Sequence, residues 1–258
     1  AINNVMHYYR FNSNHITSTQ LPKDKEMYMS EIIVYGTPVS PFVRKVEAVL
    51  NLHSVPYDFE NINIMDMPGW FLEISPAKRI PVLRDKSISE NGVEGTIADS
   101  SAICLYLDKK LNAGLYGESA FEAGRVAWLE EYADSELALP LGMKLFRPIL
   151  FPRLAGKESD LDTARQTYNE VLPKFFDYLE DTLNGNEFFV GEKLSLADIA
   201  VGCQLAQLNL VVGLPDSNRW PVLAKHAEVM SNHPCIAANL SACQKLLNRF
   251  VPEKVDLS

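Results

Sequence analysis

The chain changes from a β-strand to an α-helix within residues 32–46, which read Ile32-Ile33-Val34-Tyr35-Gly36-Thr37-Pro38-Val39-Ser40-Pro41-Phe42-Val43-Arg44-Lys45-Val46. Ser40 is a favoured N-cap residue, and Pro41 suits the first helical position because the N–H that it lacks would have no intrahelical partner there. A strand that leads into a helix N-terminus places unpaired N–H groups and the positive end of the helix dipole beside the Ser40 hydroxyl. The junction predicts a pocket suited to an anion such as a thiolate, unless Ser40 is only a cap.

Two later segments also mark the start of a strand or a helix. Ser75-Pro76-Ala77-Lys78-Arg79-Ile80-Pro81-Val82-Leu83 ends in an apolar strand that opens on Pro81. Because proline cannot donate to a sheet, Pro81 is either a cis proline or a trans proline at the start of the strand. Asp99-Ser100-Ser101-Ala102-Ile103-Cys104-Leu105-Tyr106-Leu107 reads as a helix start. Residues 31–112 then follow the order strand, helix, strand, helix, two strands, helix, which is thioredoxin-like.

These three segments, in this order and spacing, resemble the cytosolic glutathione transferases. A fourth segment, Phe188-Phe189-Val190-Gly191 with Leu194-Ser195-Leu196-Ala197-Asp198-Ile199-Ala200, is similar to the buried capping box of the family's helical domain, where it has a folding role. The resemblance covers about residues 31–250. It implies an α/β thioredoxin-like N-terminal domain at 31–113, an all-α C-terminal domain at 119–250 and a tail at 251–258.

The resemblance implies that glutathione is the co-substrate and that Ser40 activates its thiol by donating a hydrogen bond. Thr37, Tyr35 and the backbone N–H of Phe42 are the alternatives for this role. In the family the proline that corresponds to Pro81 is cis, and the preceding residue, here Ile80, presents its backbone groups to the tripeptide. A cysteine between 37 and 42 would imply thiol exchange, and none is present.

The same resemblance assigns the two ends of the tripeptide. Asp99 would pair with the γ-glutamyl ammonium, and Ser100 with the γ-glutamyl carboxylate at the helix N-terminus. Asp99 is one methylene shorter than the Glu or Gln that is commoner in the family, so a plain N-cap role is equally open. Arg79 or Lys78 would reach the glycine carboxylate.

The implied function is a glutathione-dependent transferase whose activated thiol attacks a small hydrophobic electrophile or a peroxide. Thr37, Val39 and residues 143–154 are the expected walls of the acceptor site, although the apolar residues of that segment are also typical of a core. The family further implies a detoxifying, cytoplasmic homodimer. Two other functions stay open: a non-catalytic ligand-binding or regulatory protein, and a glutathione-dependent isomerase or dehalogenase.

Composition and charge narrow the functional classes. The 258 residues are 47% hydrophobic and 22% charged, with a formal net charge of -9. This acidic balance and the lack of a basic stripe argue against nucleic-acid binding, and the short apolar runs argue against a membrane span. The spacing of the four cysteines (Cys104, Cys203, Cys235 and Cys243) fits neither a C-x-x-C pair nor a metal site, and predicts reduced, buried packing residues.

Three local expectations concern segments outside the site. Residues 1–30 lack a secretory or transit pattern and read as an extension outside the fold. Residues 84–98 form a projecting hairpin or surface loop, in which Asn91-Gly92 predicts a type I′ turn. The first long helix, at 119–145, should bend or end at its prolines (Pro140, Pro148 and Pro152).

Overall fold

The computed structural model describes residues 30–257, so the expectation for the N-terminal extension lies, apart from Ser30, outside the described residues. The first part of the fold is a four-stranded sheet of β1 (Ile32–Gly36), β2 (Tyr57–Asn61), β3 (Val82–Asp85) and β4 (Thr96–Ala98). The strand order is β2-β1-β3-β4. β1 and β2 are parallel, whereas β3 is antiparallel to both β1 and β4.

Helices cover both faces of this sheet because side chains alternate along each strand. Ile32 and Val34 of β1 point into the main core, which they share with α1 (Pro41–Leu52) and α3 (Ser100–Leu111). Tyr35 points to the opposite face, where it packs with Phe71 of α2 (Gly69–Ile74). The predicted thioredoxin-like order is confirmed.

The second part of the fold is helical. Its α-helices are α4 (Ala120–Glu131), α5 (Arg147–Leu154), α6 (Leu161–Gln166), α7 (Pro173–Leu183), α8 (Leu196–Asn209), α9 (Pro221–Asn232) and α10 (Pro234–Leu247). α8 is its central element, since nearly every residue of α8 is buried. Asp198 accepts the backbone N–H groups of Ser195 and Phe189 and contacts His226, so it links the start of α8 to α9. The predicted combination of a thioredoxin-like domain and an all-α domain is confirmed.

The prolines of the first long helix do not end it. α4 continues through π-helical turns at Tyr132–Leu137 and Leu139–Phe146 into α5, so the helical path runs past the expected end at residue 145 to Leu154. Pro140 lies within the second π-helical stretch. A proline removes one intrahelical hydrogen bond, and the wider π-helical turns carry the chain past this interruption.

The loop between β3 and β4 forms as expected, but its turn differs from the expectation. β3 and β4 pair in an antiparallel ladder, and Arg84 donates to the carbonyls of Ser89 and Gly92 in the loop between them. A type I′ turn needs positive φ at both central residues, and Gly92 has a φ of 69° whereas Asn91 does not have positive φ. The type I′ prediction was wrong: the loop does not close in a two-residue turn, because its backbone is folded around the buried Arg84 guanidinium.

The interior holds all four cysteines. Cys104 lies in α3, Cys203 in α8, and both Cys235 and Cys243 lie in α10; each is buried and free, as predicted. Between residues 30 and 257, no helix is both long and apolar enough to cross a bilayer. The same range contains no cluster of side chains suited to a metal ion.

Candidate functional site

The predicted site residues lie directly before or after three strands, next to one line of paired residues across the sheet. Tyr35 is paired with Val82, and Val82 is paired with Ala98, so these three residues lie side by side at one end of β1, β3 and β4. The turn that leads to Ser40 follows β1, Ile80-Pro81 precedes β3, and Asp99-Ser100 follows β4. The fold therefore brings the three predicted segments to the same edge of the sheet. The Ile80-Pro81 bond is cis, as predicted.

Ser40 is the N-cap of α1. Its Oγ accepts a hydrogen bond from the Val43 N–H at 3.4 Å, and its own N–H donates to the Thr37 carbonyl at 3.0 Å. Ser40 is half-buried, and Thr37 and Phe42 are likewise neither buried nor fully exposed. The N–H groups in the first turn of α1 have no intrahelical acceptors. The hydroxyl and these N–H groups face the same end of the helix.

Asp99 caps α3 with its side chain. Its Oδ1 accepts the N–H groups of Ser101 at 2.9 Å and Ala102 at 3.1 Å. The φ of Asp99 is 128°, a conformation that residues other than glycine rarely adopt and that recurs at functional sites. Ser100, the first residue of the helix, is buried. The N-cap role that the sequence left open for Asp99 is therefore present in the structure.

Lys78 and Arg79 are exposed beside the cis proline, in a loop that Ser75 holds in place. The Ser75 hydroxyl donates to the Arg79 carbonyl at 2.7 Å and accepts the Arg79 N–H at 3.1 Å. Lys78 has a φ of 55°. Ser75 is fully buried, and no sequence pattern pointed to a separate role for it.

Tyr35 lies on the face of the sheet that α2 covers, away from α1. Its hydroxyl accepts a hydrogen bond from Arg84 Nε at 3.4 Å. Burial raises the pKa of Tyr35, although the Arg84 hydrogen bond acts in the opposite direction. The tyrosine hydroxyl and the start of α1 therefore lie on different sides of the sheet.

A buried charged cluster behind Ser100 was missed by the sequence analysis. Lys45 Nζ of α1 donates to Ser101 Oγ at 3.1 Å and to Glu130 Oε1 at 2.7 Å, and it also forms a very short contact with Asp134. Burial lowers the pKa of Lys45, but the interactions with Cys104 and with the carboxylates of Asp134 and Glu130 outweigh this, and the pKa is raised overall. Lys45 joins the start of α3 to the long helix of the second domain.

The sequence did contain a signal for this cluster. Arg44 and Lys45 lie near the N-terminus of α1, where the helix dipole disfavours positive charge, and no acidic residue stands in the first turn. Two cations at such a position are unfavourable unless acceptors from elsewhere in the fold face them. Both side chains are almost completely buried, with 0% and 1% of their surfaces exposed.

The expected acceptor wall at 143–154 is partly core. Phe146, Ile149 and Leu150 are buried in the main hydrophobic core, whereas Met143 is 47% exposed. Arg153 donates to Ser159 Oγ and to the Phe250 carbonyl, so its guanidinium holds neighbouring chain segments. Of the apolar residues named here, Met143 presents the most surface.

Comparison with known proteins identifies both halves of the fold. Residues 34–114 match the N-terminal domain of glutathione S-transferases, and residues 146–242 match the C-terminal domain. Together these two matches span more than half of the chain.

Individual proteins show the same relationship. Glutathione S-transferase DHAR3 of Arabidopsis thaliana is 29% identical over 69% of this chain, which spans only 60% of that relative. Glutathione S-transferase U17 of Arabidopsis thaliana is 27% identical over 85% of this chain and 94% of the relative. The structure of URE2P8 from Phanerochaete chrysosporium with oxidized glutathione shares the fold, with a TM-score of 0.71, 19% identity and coverage of 86% of this chain and 99% of that one. The domain matches and these relatives confirm the predicted family: the chain belongs to the glutathione S-transferase family.

Proposed function

We propose that this protein binds glutathione along the sheet edge at Tyr35, Val82 and Ala98 and activates its thiol for transfer to a small electrophile or a peroxide. The observation that carries the proposal is the convergence of two helix N-termini, those of α1 and α3, at this edge. A helix N-terminus stabilises negative groups through its free N–H groups and its dipole. Glutathione offers one such group, the thiolate, near its centre and a carboxylate at each end.

The γ-glutamyl end binds at α3 in this proposal. Ser100 and its backbone N–H receive the carboxylate. The ammonium pairs with Asp99, whose Oδ1 is used for capping while no group within residues 30–257 donates to its Oδ2. The shorter side chain of Asp99 can thus serve as a cap and as a ligand.

The rest of the tripeptide follows the cis-proline loop. The backbone of Ile80, held beside Pro81, pairs with the cysteinyl unit of glutathione. Lys78 and Arg79 are both exposed beside Ile80-Pro81, so either cation can attract the glycine carboxylate. Arginine can donate two parallel, charge-assisted hydrogen bonds to a carboxylate, whereas lysine acts as a point charge.

Ser40 acts on the thiol while it caps the helix. A hydroxyl carries one donor and two acceptor sites, and capping of Val43 uses an acceptor, so the proton stays available for a thiolate. A free thiol has a pKa of about 8.5, and lowering it by about two units requires roughly 2.7 kcal/mol of preferential thiolate stabilisation. One charge-assisted hydrogen bond contributes about 1.5–3 kcal/mol. The N–H of Phe42 and the dipole of α1 add to this effect.

The acceptor lies beside Ser40, against Thr37, Val39 and Met143. These side chains are only partly buried and are largely apolar, which fits a small hydrophobic electrophile. Arg153 takes no part in acceptor binding because its guanidinium is used within the fold.

The same proposal includes a cytoplasmic, detoxifying homodimer. Three large apolar side chains are exposed on two helices that follow each other in the chain: Leu105 on α3, and Phe121 and Trp128 on α4. Burial of these side chains against a second copy would remove apolar surface from water. The four reduced cysteines fit a reducing compartment.

Two measurements test this function. Calorimetry with glutathione at millimolar concentration should show binding, and its absence would contradict the proposal. A panel of aryl halides, epoxides and peroxides should then yield a stable conjugate or a reduced peroxide. Release of halide or regeneration of glutathione would indicate a dehalogenase or an isomerase, and tight binding without turnover would indicate a binding protein.

A further inference from the structure

Helix α10 of the second domain contacts the turn that carries Ser40. Asn239 Nδ2 donates to the Pro38 carbonyl at 3.2 Å, and Cys243 Sγ donates to the same oxygen at 3.1 Å. Asn239 and Cys243 are one helical turn apart, so both face the same target. Two donors from the second domain thus converge on one carbonyl of the first domain.

That carbonyl belongs to the central peptide of a β-turn. The Ser40 N–H donates to the Thr37 carbonyl, which closes a four-residue turn with Pro38 and Val39 in its centre. The two common turn types differ in the orientation of this central peptide, and type II needs positive φ at the third residue. Val39 does not have positive φ. Holding the Pro38 carbonyl on α10 therefore holds the turn, and Ser40 with it, in one orientation.

Asn239 is itself fixed by buried groups on both sides. Its Oδ1 accepts from Arg44 Nε at 2.7 Å, and its Nδ2 donates to Glu47 Oε2 at 2.7 Å as well as to Pro38. Arginine can only donate, so it dictates which end of the amide faces it. The amide has no freedom to turn away from Pro38.

We propose that Asn239 and Cys243 are positioning residues that align the Ser40 hydroxyl with the glutathione thiol by holding the Pro38 carbonyl. The proposal rests on the proposed role of Ser40. It assigns a part in thiol activation to two side chains of α10 that need not touch the substrate, and it makes Ser40 dependent on the contact between the two domains.

Cys243 offers a matched set of variants. Cys243→Ala removes the donor to Pro38, whereas Cys243→Ser keeps a hydroxyl donor of similar size. Cys235→Ala removes another buried thiol from the same helix, which contacts His233 and not the turn, and serves as the control. Asn239→Ala removes the second donor.

The readout is the pKa of the glutathione thiol in the full chain, followed by thiolate absorbance, together with kcat and the KM for glutathione. We expect Cys243→Ala to raise that pKa and to lower kcat about 5- to 10-fold, below the ~10²-fold that a 1 Å misplacement can cost. The KM should change less than about twofold, because the ends of the tripeptide bind elsewhere. Cys243→Ser should restore both values, and Asn239→Ala should act in the same direction as Cys243→Ala.

Two outcomes would overturn the positioning role. One is an unchanged thiol pKa in both Cys243→Ala and Asn239→Ala, and the other is an equal shift in Cys235→Ala. If the unmodified protein itself shows no lowered thiol pKa, the proposed role of Ser40 fails first, and the positioning role fails with it. The unmodified protein therefore separates the two failures.

Discussion

Arg44 and Lys45 are neighbours in α1 and both are almost completely buried, yet their surroundings differ in charge. Lys45 contacts two carboxylates, those of Glu130 and Asp134. Arg44 instead donates to neutral acceptors: Asn239 Oδ1, the Cys203 carbonyl at 3.1 Å and Gln207 Oε1 at 3.2 Å. The lysine faces the start of α3, and the arginine faces α8 and α10.

The two clusters connect α1 to two different parts of the proposed glutathione site. The Lys45 cluster reaches Ser101, beside the proposed γ-glutamyl subsite, and depends on charge pairing. The Arg44 cluster reaches the Pro38 carbonyl through Asn239 and depends on hydrogen bonds with fixed directions. Removal of Lys45 and removal of Arg44 should therefore lower the free energy of unfolding by different amounts. The stability contributed by the two clusters should also differ in its dependence on pH.

The largest effect is expected from Lys45→Met. This change leaves Glu130 and Asp134 buried side by side without a cation, which costs about 3–5 kcal/mol of unfolding free energy. Urea unfolding at neutral pH and fixed protein concentration measures the loss. Adding Glu130→Gln should recover part of it, and no recovery in the double variant would show that the charges are not the cause.

Arg44→Met should cost less, about 1–3 kcal/mol, because the acceptors that it leaves unpaired are neutral, while the buried Glu47 carboxyl loses only a nearby positive charge. The same urea experiment measures this value, with Lys45→Met as the direct comparison. A larger loss for Arg44→Met than for Lys45→Met would contradict the proposed distinction between the two clusters.

The stability that the Arg44 cluster contributes should also depend on pH. Burial raises the pKa of Glu47 from 4.5 to about 6, although hydrogen bonds from Tyr57 and Asn239 and the charge of Arg44 act in the opposite direction. The pKa of Glu47 is higher in the folded state than in the unfolded state. Its contribution to the free energy of unfolding is therefore fully present below about pH 4.5 and is lost as the pH rises through 6. One pKa unit corresponds to ~1.4 kcal/mol, so the expected loss is on the order of 2 kcal/mol.

Glu47→Gln tests this dependence, since the variant has no titrating group at that position. The fall in unfolding free energy between pH 4.5 and 6 should be weaker in Glu47→Gln than in the unmodified protein. Identical pH profiles would contradict this prediction, because they would mean that folding does not raise the pKa of Glu47.

Much of the sheet edge could be predicted from local sequence. Ser40-Pro41 marks a helix start by its own chemistry, and the cis form of Pro81 followed from its place in the family's pattern. The first signal depends on a few consecutive residues, whereas the second depends on the order and spacing of several segments. The same reasoning found all four buried cysteines.

The two buried clusters could not be predicted because their members are far apart in the chain. Arg44 meets Asn239 across 195 positions, and Lys45 meets Asp134 across 89. Local patterns also misjudged the turn at Asn91-Gly92, where a buried arginine decided the local structure, and they did not predict the π-helical turns that carry the long helix past Pro140. In each case a tertiary contact or an uncommon helix geometry overrode the local propensity.

The smallest effect on stability, and the most direct test of function, is expected from Ser40→Ala. Loss of the cap should cost about 1 kcal/mol, so the variant should stay folded. Glutathione affinity should change little, since both ends of the tripeptide bind elsewhere, while turnover should fall strongly. Ser40→Thr keeps a hydroxyl and should retain more of the activity.

The central claim, that the Ser40 hydroxyl stabilises the thiolate, is tested by titrating the thiolate absorbance of bound glutathione in the unmodified protein and in Ser40→Ala. We expect the bound thiol to titrate about two units below the free value of ~8.5 in the unmodified protein, and nearer to the free value in Ser40→Ala, where the N–H of Phe42 and the α1 dipole remain. The same lowered pKa in both proteins would contradict the claim, reduce Ser40 to a cap, and transfer the activation to Thr37 or the N–H of Phe42.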